Sequence, residues 1–136
     1  MHLLDEAATE AFAQTLAARA QPGDVLLLEG PLGAGKTSFA RAFIRALAGD
    51  PALQIPSPTF TLVQTYETPK GEIWHYDLWR LQDHHGLAEL GWDEAAEHIT
   101  LVEWPDRLGP LTPAHALRLR VDYATPGRKV EYTNEA

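Results

Sequence analysis

The sequence predicts an α/β domain whose core sheet is mainly parallel and carries an antiparallel hairpin. Three observations support this prediction. An apolar run at 24–29 leads through a glycine-rich loop into a helical pattern, a second apolar run at 99–105 carries an acid near its end, and a turn signal at 68–71 separates two strand-like segments. Continuous apolar runs are typical of strands that are buried on both faces of a sheet. We expect residues 1–136 to form one domain, since this length suffices for a single core.

Composition and charge narrow the class of protein. The 136 residues include no cysteine, and 11 Lys and Arg stand against 19 Asp and Glu, which gives a formal net charge of −8. The lack of cysteine excludes a disulfide scaffold, a thiolate zinc site and an iron–sulfur cluster. The negative charge disfavours autonomous binding to nucleic acid or to an anionic membrane. Because no apolar run approaches a membrane span and the acidic start does not resemble a signal peptide, we expect a soluble, cytoplasmic protein without membrane contacts.

The first segment of the chain is predicted to be a helix. Asp5 is suited to cap its N-terminus, and Glu6 favours the positive end of the helix dipole. Apolar residues at four-residue spacing define its buried face: Ala8, Phe12, Leu16 and Ala20. Pro22 and Gly23 end the helix, and the strand at 24–29 follows.

The segment from Gly30 to Thr37 reads Gly-Pro-Leu-Gly-Ala-Gly-Lys-Thr and matches the pattern G-x-x-x-x-G-K-[S/T] at every fixed position. It lies between a strand and the helical pattern at 38–47, the context that a phosphate-binding loop requires. Glycines allow backbone N–H groups to surround a phosphate, and the helix N-terminus adds partial positive charge. In this motif Lys36 neutralises the β and γ phosphates, and the Thr37 hydroxyl can ligate Mg²⁺. The motif predicts nucleotide binding but does not indicate what the energy is used for.

A stretch bracketed by prolines, 55–61, holds the hydroxyl residues Ser57 and Thr59. The prolines stiffen this loop and exclude a helix. Two interpretations stay open. The stretch is either a rigid entry into a strand or a loop that senses a γ-phosphate or its metal, as ordered switch segments do in GTPases.

The segments 60–66 and 73–78 are predicted to pair as a hairpin. Residues two apart on a strand point the same way, so His75 and Asp77 share one face, and Arg80 follows where the strand ends. An acid in this position can contact a metal or its waters, and Arg80 can stabilise phosphate charge. The alternative is an ordinary Asp–Arg ion pair at the rim of the sheet.

Glu103 stands at the end of the third apolar strand. This is the arrangement of a Walker B strand, whose carboxylate reaches Mg²⁺ or the attacking water beside the phosphate-binding loop. A purely structural carboxylate is the alternative, and the motif at 30–37 favours the metal role. Residues 117–122 alternate between apolar and polar, which predicts a half-buried strand. Arg128 lies in the turn before a last edge strand at 129–133, where it either stacks on a base or solubilises the loop.

Four segments in this order resemble the bacterial TsaE (YjeE) family. They are Glu-Gly-Pro-Leu-Gly-Ala-Gly-Lys-Thr at 29–37, Ser-Pro-Thr-Phe-Thr-Leu-Val at 57–63, His-Tyr-Asp-Leu-Trp-Arg-Leu at 75–81 and Leu-Val-Glu-Trp-Pro at 101–105. The resemblance covers about 24–105. It implies a P-loop NTPase-like three-layer fold and the ATPase component of the machinery that makes threonylcarbamoyladenosine in tRNA.

The resemblance also implies roles for individual residues. Ser57 and Thr59 would act in one switch-like loop, and Asp77 and Arg80 in a second one. Arg128 would contact the base side of the nucleotide. The implied phosphate-binding residues are Gly33, Ala34, Gly35, Lys36, Thr37 and Ser38, with Thr37 and Glu103 at Mg²⁺. Trp79 stands where the family usually has Tyr, so the aromatic body is kept at that position and the hydroxyl is not.

The reaction expected from this resemblance is the attack of water on the γ-phosphate of ATP. Lys36, Mg²⁺ and the loop amides would stabilise the transferring phosphoryl group, while Glu103 or Asp77 positions the metal or the water. The implied partners are a TsaD-type transferase and a TsaB-type subunit, with tRNA engaged indirectly. ATP turnover is expected to be slow alone and faster with these partners. Two alternatives remain: a small P-loop kinase, and a nucleotide-gated binding module that does not hydrolyse.

Overall fold

A computed structural model describes residues 1–31 and 33–134 of the chain. Within these residues the helices are α1 (Glu6–Arg19), α2 (Lys36–Ala48) and the short α3 (Trp92–Ala95). The strands are β1 (His2–Leu3), β2 (Val25–Glu29), β3 (Val63–Thr68), β4 (Gly71–Asp77), β5 (Ile99–Glu103), β6 (Leu117–Tyr123) and β7 (Arg128–Asn134). Two 3₁₀ segments, His84–Leu90 and Pro105–Leu111, flank α3 and β5.

The strands form one mixed sheet in the order β1-β7-β6-β2-β5-β4-β3. The four central strands, β6, β2, β5 and β4, run parallel to one another. The outer pairs β3–β4, β6–β7 and β1–β7 are antiparallel. The predicted fold class, a mainly parallel core sheet with an antiparallel hairpin, is therefore confirmed.

Apolar side chains cover both faces of the central strands, which makes three layers. On β2, Leu26 and Leu28 pack beneath α1 and α2, whereas Val25 and Leu27 pack on the opposite face. That second face is covered by the 3₁₀ segments and α3 through Leu87, Ala95 and Leu108. This burial on both faces is why the strand has no polar alternation.

Helix α1 begins as predicted, because the Asp5 carboxylate accepts a hydrogen bond of 2.9 Å from the Ala8 backbone N–H. Its most buried positions are Thr9, Ala13 and Ala17, one residue beyond the predicted face. The larger residues of that face, Phe12 and Leu16, are half-buried and flank this stripe. Small side chains in the stripe allow α1 to lie close against α2.

Two strand predictions are corrected at their ends. The hairpin exists, but β3 begins at Val63 and not at residue 60, because Leu62 has a left-handed backbone (φ 68°) that an extended strand does not accommodate. The strand predicted at 129–133 is not an edge strand over its first residues, because β1 (His2–Leu3) pairs with its outer side. A two-residue strand is too short to show a sequence pattern.

None of the helices in the described part of the chain combines the length and the apolar character needed to cross a membrane.

Candidate functional site

A cleft of about 360 Å³ opens at the edge of the sheet where β2, β4 and β5 end. The parallel register places Glu103 beside both Leu28 and Asp77, so the loop that follows β2 meets the carboxylates that end the two neighbouring strands. Ligands of open parallel sheets bind at this carboxyl edge. The sequence-predicted residues that line the cleft are Gly33, Gly35, Lys36, Thr37, Ser38, Ser57, Thr59, Asp77 and Glu103.

Glycine is required where the loop leaves β2 and where it enters α2. Gly30 has φ 140°, and a Cβ atom built on it would lie 2.0 Å from the backbone oxygen of Val121 on β6. Gly35 has φ 112°, and its Cβ would lie 2.7 Å from the guanidinium carbon of Arg128. A side chain at Gly30 would clash with fixed backbone, whereas at Gly35 the positive φ is the constraint, since the Arg128 side chain can move aside.

Lys36 is 4% exposed and folds back over its own loop. Its ammonium donates a 2.6 Å hydrogen bond to the Gly30 carbonyl and lies 3.3 Å from the centroid of the Trp104 ring. Burial lowers the pKa of Lys36, and the Glu103, Asp77 and Asp106 carboxylates partly oppose that shift. The partners of the Lys36 amine are thus a carbonyl oxygen and an aromatic ring, and neither carries a formal negative charge.

Thr37 and Glu103 meet at the N-terminus of α2. The Thr37 hydroxyl donates to one carboxylate oxygen of Glu103 (Oε1) over 3.2 Å. The other oxygen, Oε2, lies 2.7 Å from Nε2 of His75, which is completely buried. The Thr37 hydroxyl thus contacts a carboxylate that lies 66 residues further along the chain. This is the arrangement of a Walker A and Walker B pair.

Asp77 binds the proline-bracketed loop to the end of β4. Its Oδ2 accepts from the Thr59 hydroxyl over 3.1 Å, and its Oδ1 accepts from the backbone N–H of Trp79 over 3.0 Å. The hydroxyls of Thr59 and Ser57 are 2.7 Å apart. This chain of hydrogen bonds places Ser57 and Thr59 of the first predicted switch-like loop, and Asp77 of the second, at the cleft.

Arg80 lies outside the lining of the cleft. It is exposed, and its guanidinium stands 5.0 Å from the ring centroid of Phe60, which is itself 83% exposed. The rim ion pair with Asp77 that the sequence left open is not formed: the hydrogen bonds of Asp77 go to Thr59 and Trp79 instead. Arg80 is thus held against the proline-bracketed loop through a cation–aromatic contact.

Arg128 and Ala34 support the loop from behind. The Arg128 guanidinium donates to the Glu6 carboxylate over 2.7 Å and to the Thr9 hydroxyl over 3.2 Å, and it packs against Gly35. The Ala34 side chain is buried in the core under α1 and α2. The start of α1, the loop and the turn before β7 therefore form one connected edge of the site.

Three aromatic residues of the site have no role in the sequence predictions. Trp104 and Trp79 line the cleft with ring centroids 4.5 Å apart, and Trp79 is 48% exposed. The sequence predicts that His75 shares a face with Asp77, but it does not predict the contact of His75 with Glu103. For Trp104 the available signal is its position directly after the strand-ending acid, where a left-handed backbone (φ 58°) turns its ring toward Lys36.

The three-layer fold and the glycine loop between β2 and α2 define the class of P-loop NTPase-like α/β proteins. Within that class, the family model described as "Threonylcarbamoyl adenosine biosynthesis protein TsaE" matches residues 3–130. The chain belongs to the TsaE family.

Individual relatives agree with this assignment. A protein of Rickettsia bellii named "tRNA threonylcarbamoyladenosine biosynthesis protein TsaE" is 38% identical over 135 residues, which cover 98% of this chain and 93% of that protein. The protein of the same name from Bacillus subtilis is 37% identical over 118 residues, or 85% of this chain and 72% of the relative. The crystal structure of Bacillus subtilis YdiB superimposes with a TM-score of 0.79 at 32% identity and covers 100% of this chain and 84% of its own.

Proposed function

We propose that the chain acts as a single domain that binds ATP with Mg²⁺ in the cleft, hydrolyses it, and thereby supports the synthesis of threonylcarbamoyladenosine in tRNA. The observation that carries the proposal is the 3.2 Å hydrogen bond between Thr37 and Glu103 at the N-terminus of α2. This bond supports the proposal because it joins the two residues that would hold the metal, in a chain of the TsaE family.

The residues at this point fit Mg²⁺. Magnesium prefers hard oxygen donors, keeps several waters and is bound in such sites by one or two protein oxygens together with the phosphates. The Thr37 hydroxyl and the Glu103 carboxylate supply such oxygens. A Mg²⁺ ion bound in this way does not require a larger group of acidic side chains, and the described residues contain no group of three or more His, Cys, Asp or Glu side chains that could hold a metal. When bound, Mg²⁺ would neutralise the charge that develops on the phosphate oxygens.

The chain's own groups account for the rest of the binding site. The backbone N–H groups of residues 33–38 and the start of α2 favour a bound phosphate. Lys36 would exchange its Gly30 carbonyl and Trp104 ring for phosphate oxygens, which are stronger partners for an ammonium group. Asp77 would hold Thr59 beside the γ-phosphate and leave Glu103 to the metal.

The proposed partners are a TsaD-type transferase and a TsaB-type subunit, and the setting is the cytoplasm. The relatives carry threonylcarbamoyladenosine biosynthesis in their names. An overall charge of −8 disfavours direct binding to tRNA, so the tRNA would be held by the partners. The cleft is open at Ser57 and Trp79, which are both exposed, and a partner surface that covered them would exclude water and speed turnover.

The test is phosphate release from ATP with Mg²⁺ and without any acceptor, in the wild type and in Glu103→Gln. We expect Glu103→Gln to bind ATP and to lose most of its hydrolysis, because the amide has no negative charge to offer the metal. Glu67→Gln, an exposed change of the same type on β3, serves as the matched control.

The same assay separates the alternatives. A kinase would release little phosphate in the absence of its acceptor, and with the acceptor it would form ADP and a phosphorylated product in place of free phosphate. A binding module that does not hydrolyse would release none. Hydrolysis by Glu103→Gln at the wild-type rate would assign Glu103 a structural role.

A further inference from the structure

The buried contact between His75 and Glu103 is not used by the proposed function. His75 lies on β4 and Glu103 on β5, and the register pairs His75 with Leu101, so the two side chains meet diagonally on one face of the sheet. Nε2 of His75 and Oε2 of Glu103 are 2.7 Å apart, and both side chains are almost completely buried.

The hydrogen bonds divide the Glu103 carboxylate between two donors. Oε1 accepts from Thr37 and Oε2 is in contact with His75. An ionised carboxylate only accepts, so Nε2 of His75 is the donor in this pair. Each oxygen therefore has its own hydrogen-bond partner, and rotation of the carboxylate would break the bond to Thr37 or the bond to His75.

His75 makes no second polar contact that would give it another structural purpose. Its Nδ1 atom is buried and has no hydrogen-bond partner among the described residues. A buried polar atom without a partner destabilises a fold. The unpartnered Nδ1 atom thus lowers the stability of the fold, and the one polar contact of the ring among the described residues is with the Glu103 carboxylate.

We propose that His75 is a positioning residue that fixes the rotation of the Glu103 carboxylate, so that Oε1 faces Thr37 and the Mg²⁺ site. The inference rests on the proposed function of Thr37 and Glu103. Groups behind a metal-binding carboxylate orient it and commonly change metal affinity by about 10- to 100-fold when they are removed. His75 would therefore control how much Mg²⁺ the site needs, rather than how tightly it holds the nucleotide itself.

The experiment compares His75→Gln with His75→Asn. The amide of Gln extends as far as Nε2 of His and can donate to Glu103, whereas the amide of Asn is one methylene shorter and cannot reach it. A titration calorimeter measures the binding of a non-hydrolysable ATP analogue at a series of Mg²⁺ concentrations and again in EDTA. His85→Gln, a change at an exposed histidine, is the control.

We expect His75→Asn to raise the Mg²⁺ concentration for half-maximal binding by about tenfold or more, and to leave the affinity in EDTA unchanged. His75→Gln should remain within about threefold of the wild type. In a Glu103→Gln background the difference between the Asn and Gln variants should disappear.

Equal Mg²⁺ requirements for the Asn and Gln variants would overturn the inference, and so would a difference that persisted in the Glu103→Gln background. If the wild type itself showed no Mg²⁺-dependent binding, the proposed function would fail first. Melting temperatures of all variants identify any change that only unfolds the protein. If His75→Asn unfolds, the comparison is made between His75→Gln and His75→Leu, which fills the site without a donor.

Discussion

Lys36→Met isolates the charge that the proposed phosphate-binding loop would present to a nucleotide. Methionine retains an unbranched apolar stem that can pack on Trp104, and it removes only the ammonium group. A charge-assisted hydrogen bond contributes about 1.5–3 kcal/mol, which corresponds to about tenfold to a hundredfold in affinity. In the structure this ammonium already has the Gly30 carbonyl and the Trp104 ring as partners. Both contacts would be given up for a bound phosphate, so we expect a loss nearer tenfold.

The assay is titration calorimetry with a non-hydrolysable ATP analogue at fixed Mg²⁺ and salt. Lys129→Met is the control, because it removes the same charge from an exposed position on β7. The control should bind like the wild type. If Lys36→Met also bound within twofold of the wild type, the loop at 30–37 would not be the nucleotide site.

Three further predictions concern pH, partners and stability. Because the pKa of Lys36 is lowered in the fold, the native state loses this proton before the unfolded state does. The unfolding free energy of the wild type should therefore rise relative to Lys36→Met as the pH approaches the ordinary lysine pKa of about 10.4, which chemical denaturation at several pH values would detect. Thr59→Ala and Arg80→Ala should each lower partner-stimulated phosphate release by about tenfold, with far smaller effects on nucleotide affinity. The reason is that the native side chains order the loop and do not hold the phosphates, so equal losses in affinity and rate would contradict this prediction. Phe43→Ala, at a fully buried position of α2, should lower the unfolding free energy by about 3–5 kcal/mol. A loss below about 1 kcal/mol in urea titrations would show that Phe43 is not packed in the core.

Local sequence determined the elements that build the site. The glycines at 30, 33 and 35, followed by Lys36 and Thr37, specify a loop between a buried strand and a helix, because their backbone requirements are local. Asp5 capped α1 as expected for the same reason. The family resemblance, which the comparisons confirmed, rested on four short segments of this kind.

Contacts between distant segments were decided only by the tertiary structure. The pairing of His75 with Glu103 depends on the register of β4 against β5, which no local pattern specifies. The position of Arg80 on Phe60, outside the cleft, follows from the left-handed turn at Leu62 and from the hydrogen bonds that occupy Asp77.

The aromatic contacts of the site and the pairing of the N-terminal strand also depend on the tertiary structure. The sequence places Trp104 after the strand-ending acid, but its contact with Lys36 arises because β5 lies next to β2 in the sheet. Strand β1 forms because β7 offers an unpaired edge, not because two residues prefer to be extended. Short-range patterns therefore specified the candidate site residues, while strand order and register, which depend on packing across the whole sheet, decided which of them touch.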